Sequence, residues 1–174
     1  MRLLRFSALA VLVAAGACRA KDPREDFEIQ DVETYWAVDS PRSGTVYIAP
    51  VLRFRLQNRS ARSARSVEAQ AGFRRAGAED QEWASGFVIV ATGKAPLAAQ
   101  ASTLVEIKSE GRYSMSDTAP EDMLKNEGFQ DAKATLYLRS GNSSWTPLAE
   151  GLLVDRRIGS KSAVITTVPV TPQP

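Results

Sequence analysis

Apolar residues recur at every second position along much of this chain, and that period limits what the chain can fold into. The clearest cases are residues 52–57, where Leu, Phe and Leu alternate with Arg, Arg and Gln, and residues 67–74. A period of two places successive side chains on opposite faces of a β-strand, whereas an amphipathic helix needs spacings of three and four. These segments are therefore predicted to be half-buried strands.

Similar segments follow one another along most of the chain and are separated by clusters of Gly, Pro, Asn and Ser. We predict strands at residues 27–38, 46–57, 67–74, 83–92, 103–107, 132–139, 145–148 and 152–158. Residues 118–126 break the period, and Pro120 followed by two acidic residues predicts a short helix that ends before Gly128. Short, evenly spaced strands without βαβ alternation predict an all-β fold, an antiparallel immunoglobulin-like β-sandwich.

Several local features carry predictions of their own. The first strand should bend or bulge near Asp31, and residues 40–44 should form a turn because they contain Pro and Gly. Pro50 predicts a sheet edge or a bulge within the second strand. Residues 77–82 are predicted to be an acidic turn, and the apolar run 87–90 is predicted to be a central strand.

Residues 51–108 resemble the small immunoglobulin-like domains of bacterial envelope proteins, among them FxLYD-type domains. The features that carry this resemblance are the strand end Leu56-Gln57-Asn58-Arg59-Ser60, the alternating strand 67–73, and Pro96-Leu97 shortly before Thr103-Leu104-Val105. The Phe-x-Leu-Tyr-Asp string itself is missing. In such domains an Asn-x-Ser turn joins two strands. The resemblance implies an interaction or structural module.

The N-terminus carries a targeting signal. Two arginines precede an apolar run from Phe6 to Ala17, which is shorter than the roughly 20 residues of a transmembrane helix and fits a secretory signal helix. The run ends Ala15-Gly16-Ala17-Cys18, which resembles the lipobox of bacterial lipoproteins. That resemblance implies cleavage before Cys18 and acylation of its thiol. The alternative is ordinary signal cleavage after Ala17, which leaves a free thiol.

These features divide the chain into four parts: a signal peptide at residues 1–17, a tether at 18–26, the sandwich at 27–159 and a disordered tail at 160–174. Arg19, directly after the lipobox, favours the outer over the inner membrane by the lipoprotein sorting rule. The part from Cys18 onward carries 20 basic and 20 acidic residues, so its net charge is zero. This balance gives no support to nucleic-acid binding.

The residue inventory argues against most enzyme classes. The chain has no histidine and one cysteine, so it lacks the commonest general base and metal ligand and cannot form an internal disulfide. No Gly-x-Ser-x-Gly elbow and no phosphate-binding glycine loop is present. Asp117, Glu121 and Asp122 lack the spacing of a calcium loop and are interpreted as helix-start acids. No cofactor and no catalytic residue is predicted.

Two groups of side chains are candidates for ligand binding. The first is an arginine series, in which Arg53, Arg55, Arg74 and Arg75 would share a solvated face and bind anions if the second and third strands formed a hairpin. The wider series adds Arg59, Arg62 and Arg65. A solvated sheet face is the alternative interpretation.

The second group is aromatic, and it would either line a groove or pack in the core; core packing is favoured by the strand spacing. Its members are Trp36, Trp83, Trp145, Tyr35, Tyr47, Tyr113 and Tyr137. Residues 140–143, with the sequence Ser-Gly-Asn-Ser, predict a hairpin turn, and Trp145 beside it is expected to be the most exposed of them.

Together these observations favour a lipid-anchored envelope protein that faces the periplasm or the cell exterior. It would act as a non-enzymatic interaction or assembly module with an envelope protein partner, through a strand edge or a sheet face. The alternative is a lipoprotein that binds a small ligand or anion through the arginines or an aromatic groove. Exposed, unpaired strand edges would favour the first hypothesis, and a deep apolar pocket with convergent Arg or Trp the second.

Overall fold

The computed structural model describes residues 21–42 and 44–159, and all structural statements refer to that part of the chain. Short strands dominate it, with two helical turns. The elements are α1 (Pro23–Asp26), β1 (Phe27–Arg42), β2 (Thr45–Asn58), β3 (Val67–Arg75), β4 (Ala78–Ala91), β5 (Ser102–Lys108), β6 (Tyr113–Ser116), α2 (Pro120–Met123), β7 (Ala132–Ser140), β8 (Thr146–Leu153) and β9 (Ile158–Gly159).

The strands form two sheets that face each other. Sheet 1 has the order β5-β2-β1-β9, with β6 also paired to β2, and sheet 2 has the order β4-β3-β7-β8. Neighbouring strands are antiparallel except β9, which pairs with β1 in parallel. The chain passes from sheet 1 to sheet 2 after β2 and returns at β5. The predicted all-β fold, an antiparallel β-sandwich of two sheets, is therefore confirmed.

The core lies between the sheets and follows the period seen in the sequence. The apolar members of residues 52–57 are fully buried, and the polar ones between them are partly exposed. The inner residues of β3 and β7 are buried in the same way. Trp36, Phe54 and Phe73 are the largest fully buried side chains. Burial of one such side chain stabilises the fold by about 1.5–3 kcal/mol, so these strands hold the sheets together.

The predicted irregularity in the first strand is confirmed. The β1–β2 register shifts between Gln30 and Glu33, and Asp31 between them has a φ of 50°. Asp tolerates this left-handed conformation better than most residues. The predicted turn at residues 40–44 is shorter than expected because β1 continues to Arg42; Gly44 has a φ of 77°, as its lack of Cβ permits.

Pro50 lies in a central strand, so the prediction of a sheet edge is wrong for β2 as a whole. On one side β2 pairs with β1, and on the other it pairs first with β6 and then with β5. The carbonyl of Pro50 accepts a hydrogen bond from the Ser109 backbone at 2.9 Å, so its nitrogen faces the same side. On that side of β2, Pro50 lies at the junction between β5 and β6 and pairs with neither strand. Proline has no N–H, but its absence therefore removes no strand-to-strand hydrogen bond there.

The loop after β2 is organised around Asn58, whose side chain is fully buried. Its Nδ2 donates to the carbonyls of Arg62 at 2.9 Å, Leu97 at 3.2 Å and Ala98 at 2.9 Å. Its Oδ1 accepts from the backbone and hydroxyl of Ser60. The Asn-x-Ser turn expected at this place thus ties the β2–β3 loop to the β4–β5 loop.

The prediction that residues 87–90 form a central strand is wrong, because β4 is the edge of sheet 2. The acidic turn predicted at residues 77–82 is also shorter than expected. The turn lies at Gly77, with a φ of 86°, and β4 already begins at Ala78. An apolar run fits a strand buried on both faces and a strand at an edge equally well, so the sequence pattern did not distinguish them.

Smaller differences concern short elements. Residues 23–26, assigned to the tether, form α1, in which Pro23 is buried. The predicted helix is limited to one turn, α2, with Pro120 at its first position as expected. β6 was not predicted. β8 runs to Leu153 without the predicted break, and the last strand is limited to Ile158–Gly159. Elements of two to four residues give too little period to be recognised.

Candidate interaction surface

Strand β4 presents two large apolar side chains to solvent. Phe87 is 54% exposed and Ile89 is 58% exposed. They alternate with Val88 and Val90, which pack against the core. The whole stretch 84–92 contains no charged residue. Natural edge strands usually carry Lys, Pro or bulges that prevent pairing with other chains, so this unprotected edge requires a functional explanation.

The backbone of β4 is available along part of its outer side. The carbonyl of Ser85 accepts a hydrogen bond from the Glu110 backbone at 2.9 Å, from outside sheet 2. Backbone groups alternate in direction along a strand, and the pairing with β3 is regular from Ser85 to Ile89. The N–H and C=O groups of Phe87 and Ile89 therefore also point away from β3.

Sheet 1 approaches the beginning of this edge closely and then diverges. A Cβ at Gly86 would overlap the carbonyl oxygen of Lys108 and lie 2.8 Å from Cγ2 of Ile107. Glycine is therefore required where β4 crosses the end of β5. Beyond this crossing the outer edge of β4 extends from residue 87 to residue 91. A strand of five residues spans about 16 Å, which is enough for one added strand.

The face of sheet 2 that points away from the core, here called the outer face of sheet 2, continues the apolar surface. The rings of Phe87 and Trp145 meet edge to face with centroids 6.2 Å apart. The guanidinium of Arg139 lies 4.8 Å from the centroid of the Trp145 ring and also pairs with Glu68. Trp145 is half-buried under these contacts, whereas Phe87 and Ile89 beside it are exposed.

The edges formed by β5 and β8 carry features that protect a strand from pairing with another chain. β8 contains Pro147 and Gly151, the latter at a φ of 66°, and its pairing with β7 shifts register twice. β5 carries Glu106 and Lys108. Charges, proline and bulges are the usual devices against edge-to-edge pairing. The β3–β4 pairing also shifts register, but its stretch from Ser85 to Ile89 is regular, and residues 84–92 contain neither charge nor proline.

The structure divides the four candidate anion-binding arginines between the two sheets. β2 and β3 are not hairpin neighbours, because β2 lies in sheet 1 and β3 in sheet 2; the expectation of a shared face is wrong. Arg53 lies 4.0 Å from Glu33, and Arg55 lies 3.3 Å from Asp31. A carboxylate on β1 therefore faces each arginine of β2.

The two arginines of β3 have separate surroundings. Arg74 donates to the hydroxyl of Thr135 at 3.4 Å on the outer face of sheet 2. Arg75 instead stacks on aromatic rings, with its Cζ 5.2 Å from the Trp83 centroid and 5.7 Å from that of Tyr113. Its buried Nε has no hydrogen-bond partner. A 240 Å³ cavity beside it is lined by Arg75, Ala78, Gln81, Glu82 and Trp83.

Most of the aromatic group packs at one end of the sandwich. Trp36 is fully buried, and its ring lies 4.9 Å from that of Phe129 and 5.6 Å from that of Tyr113. The Tyr113 ring also lies 5.0 Å from that of Trp83. Burial raises the pKa of Tyr113, and the charge of Arg75 partly offsets this rise. This end of the molecule is primarily a packed cluster, in agreement with the favoured interpretation.

Tyr35 is buried on the outer side of sheet 1. Its hydroxyl donates to the carboxylate of Glu106 at 2.9 Å, and the guanidinium of Arg157 lies 5.3 Å from its ring centroid. Burial, together with this hydrogen bond, raises the pKa of Tyr35 to about 12. The hydroxyl is therefore held in its neutral form and acts as a structural donor between β1 and β5.

The acidic residues near α2 do not converge. Asp122 pairs with Lys125 at 2.9 Å, one turn along the chain. Asp117 precedes the helix with a φ of 53°. Among residues 21–42 and 44–159, no group of three or more potential ligands is arranged to hold a metal ion.

The residues predicted for lipidation and cleavage, Cys18 and Ala15, Gly16 and Ala17, lie outside the described residues, as does the tail at 160–174. Within the described part of the chain, no helix is long and apolar enough to span a bilayer.

Comparison with known proteins gives little further information. No protein-family model matches the chain, and no curated protein matches it. Among solved structures, a beta-glucuronidase from glycoside hydrolase family 2 matches with a TM-score of 0.38 and 11% sequence identity, over 67% of this chain and 11% of the enzyme. The chain thus spans a small part of that enzyme, and the likeness carries no argument about activity.

Sequence reasoning did not select Phe87 and Ile89 as site residues. The strand predicted at residues 83–92 was expected to be central because its run Phe87-Val88-Ile89-Val90 makes it the most apolar of the predicted strands. A signal was present in the neighbouring segment, since polar residues such as Gln81 and Glu82, which are exposed at the start of β4, are typical of an edge. Whether β4 is a central or an edge strand depends on the strand order, which is set by contacts between residues far apart in sequence.

Proposed function

We propose that this chain is a lipid-anchored, non-enzymatic interaction or assembly module of the bacterial cell envelope. Its contact surface is the outer edge of β4, residues 87–91, with the adjoining outer face of sheet 2. The observation that carries the proposal is the exposure of Phe87 and Ile89 on the uncharged stretch 84–91 of an edge strand. Addition of a strand to such an edge is a common mode of protein recognition.

Both parts of this surface contribute to binding. Backbone hydrogen bonds from Phe87 and Ile89 supply the pairing, and their side chains bury apolar area against the partner. Trp145 and Arg139 flank the apolar centre with an aromatic ring and a cation, residue types that are enriched at protein interfaces. A partner with an exposed apolar strand fits this arrangement.

The test is site-specific cross-linking in cells. A photo-reactive amino acid replaces Phe87 in one variant and Leu153 in the matched control, because Leu153 is 55% exposed at the opposite edge of sheet 2. We expect one reproducible protein adduct at position 87, its loss on adding Ile89→Lys, and no such adduct at position 153. Equal labelling at both positions, or none at position 87, would contradict the proposal.

The lipid anchor is tested separately. The motif Ala15-Gly16-Ala17-Cys18 supports acylation at Cys18, and two or more acyl chains hold a protein firmly on a membrane, each buried methylene contributing about 0.8 kcal/mol. Globomycin should cause the uncleaved precursor to accumulate, and Cys18→Ser should abolish membrane retention. Normal processing in the presence of globomycin would show ordinary signal cleavage instead.

Binding of a small anion at Arg75 is a second candidate function. It is supported by the unpartnered Nε of Arg75 and by the adjoining 240 Å³ cavity. Glu82 lines the same cavity, and its carboxylate would repel a bound anion. Calorimetric titration with a small dicarboxylate should show binding that Arg75→Gln removes, while Arg55→Gln, on sheet 1, leaves it unchanged; absence of heat with the wild type would refute this candidate.

A further inference from the structure

We infer that the edge of β4 pairs with the β4 edge of a second copy of this chain, across a twofold axis. The inference rests on the proposed function, since it names the partner of the same surface. In such a dimer the two copies of sheet 2 join into one continuous sheet. The contact is isologous, which means that each copy contributes the same residues.

The charge distribution favours a second copy over a charged partner. A twofold axis brings each residue near its own counterpart, so any charge close to the axis meets the same charge. Like charges directly opposite each other on paired strands are destabilising. Residues 84–92 carry no charge and therefore pair with themselves without repulsion. The edge strands β5 and β8 do contain charged residues, among them Glu106 and Glu150.

The direction of the backbone groups sets the register of the pairing. The outward-facing groups belong to Phe87 and Ile89, and Val88 between them faces β3. An antiparallel pair centred on Val88 places Phe87 of one copy opposite Ile89 of the other. Each such pair exchanges two N–H···O bonds, and symmetry gives two pairs. The Phe87 and Ile89 side chains then pack across the axis on the outer face.

Two features limit the length of the shared ladder. At one end the Ser85 carbonyl is already bonded to Glu110, and the backbone of Lys108 lies against Gly86. At the other end the β3–β4 register shifts beyond Ile89. The shared ladder is therefore short, whereas stable dimer interfaces bury about 800 Å² per partner. A common membrane anchor would compensate by raising the local concentration of the chain.

The first test is the mass of the purified full-length chain in detergent, measured by sedimentation equilibrium over a concentration series. We expect a monomer–dimer equilibrium that Ile89→Lys weakens by at least about tenfold. Leu153→Lys is the matched control because Leu153 is equally exposed at the opposite edge, and it should leave the equilibrium unchanged. Thermal unfolding of both variants checks that they fold as the wild type does.

The second test fixes the register. Acylated chains with Phe87→Cys are mixed in one membrane with acylated chains with Ile89→Cys and oxidised, since acylation leaves no free thiol at Cys18. Opposite residues of a hydrogen-bonded pair lie about 5.5 Å apart between Cα atoms, within the range of a disulfide. Position 87 is farther from position 87 of the other copy. We expect disulfides between the two kinds of chain, and few when either kind is oxidised alone.

A monomer at all concentrations, or a dimer that Ile89→Lys does not weaken, would overturn the inference. Neither result would remove the proposed interaction function, because cross-linking from position 87 to a different protein would remain its support. Conversely, a dimer formed through β4 in the absence of any other adduct would identify the chain itself as the partner.

Discussion

At the scale of single residues, the buried side chain of Asn58 has the clearest structural role. It bonds the carbonyls of two loops and the Ser60 turn at once. Asn58→Ala leaves several of these groups without partners, so we expect the free energy of unfolding to fall by about 3 kcal/mol. Gln57→Ala, which removes one exposed hydrogen bond to the Gln100 carbonyl, should cost less than about 1 kcal/mol. Urea denaturation measures the free energy of unfolding of both variants. Equal losses of stability would contradict the structural role of Asn58.

Ionisation of Tyr35 makes the free energy of unfolding depend on pH in the alkaline range. Its pKa is raised to about 12 by burial and by the bond to Glu106, so the unfolded chain loses this proton at a lower pH than the folded chain. The neutral hydroxyl therefore contributes fully below about pH 10, and stability is lost as pH rises toward 12, by up to about 2.5 kcal/mol. Urea denaturation between pH 9 and pH 12 should show that Tyr35→Phe makes this decline shallower. Parallel curves for the wild type and Tyr35→Phe would argue against the raised pKa.

At the scale of elements, the crossing of β4 over the end of β5 depends on Gly86. Gly86→Ala forces the strands apart because the new Cβ would overlap the Lys108 carbonyl oxygen, and we expect the free energy of unfolding to fall by about 2 kcal/mol. The control is Gly93→Ala, because no atom lies within 4 Å of a Cβ added at Gly93. It should change stability by no more than about 0.5 kcal/mol. Thermal or urea unfolding measures the difference, and similar values would show that the crossing tolerates a side chain.

Individual strands were predictable because their period of two is imposed by the sandwich itself. The alternation in residues 52–57 and 67–74 identifies both the strand and its buried face, and the bulge at Asp31 follows from a break in that pattern. The position of a strand within a sheet is a different matter. β4 has the most apolar run and yet lies at an edge, because the partners of a strand are set by residues far away in sequence.

At the scale of the whole molecule, strand order also decides which candidate site residues lie together. Arg53 and Arg74 are close in sequence but lie on different sheets, and Phe87 and Trp145 are far apart in sequence but in contact. The sequence therefore identified the residue types that carry chemistry but not the surface they form. The surface at β4 depends on the strand order, which places the uncharged stretch 84–91 at a sheet edge.

The most direct test of the central claim is amide hydrogen exchange of β4 in the full-length chain, compared between membranes and dilute detergent solution. Val88 faces β3 and should be protected in both states. The amide groups of Phe87 and Ile89 face outward and should exchange fast in dilute solution, because no described strand pairs with β4 on that side and supplies an acceptor. In membranes their exchange should slow markedly if a partner strand occupies the edge, and Ile89→Lys should restore fast exchange at Phe87. Unchanged exchange of Phe87 and Ile89 between the two states would contradict the claim that this edge is the interaction surface.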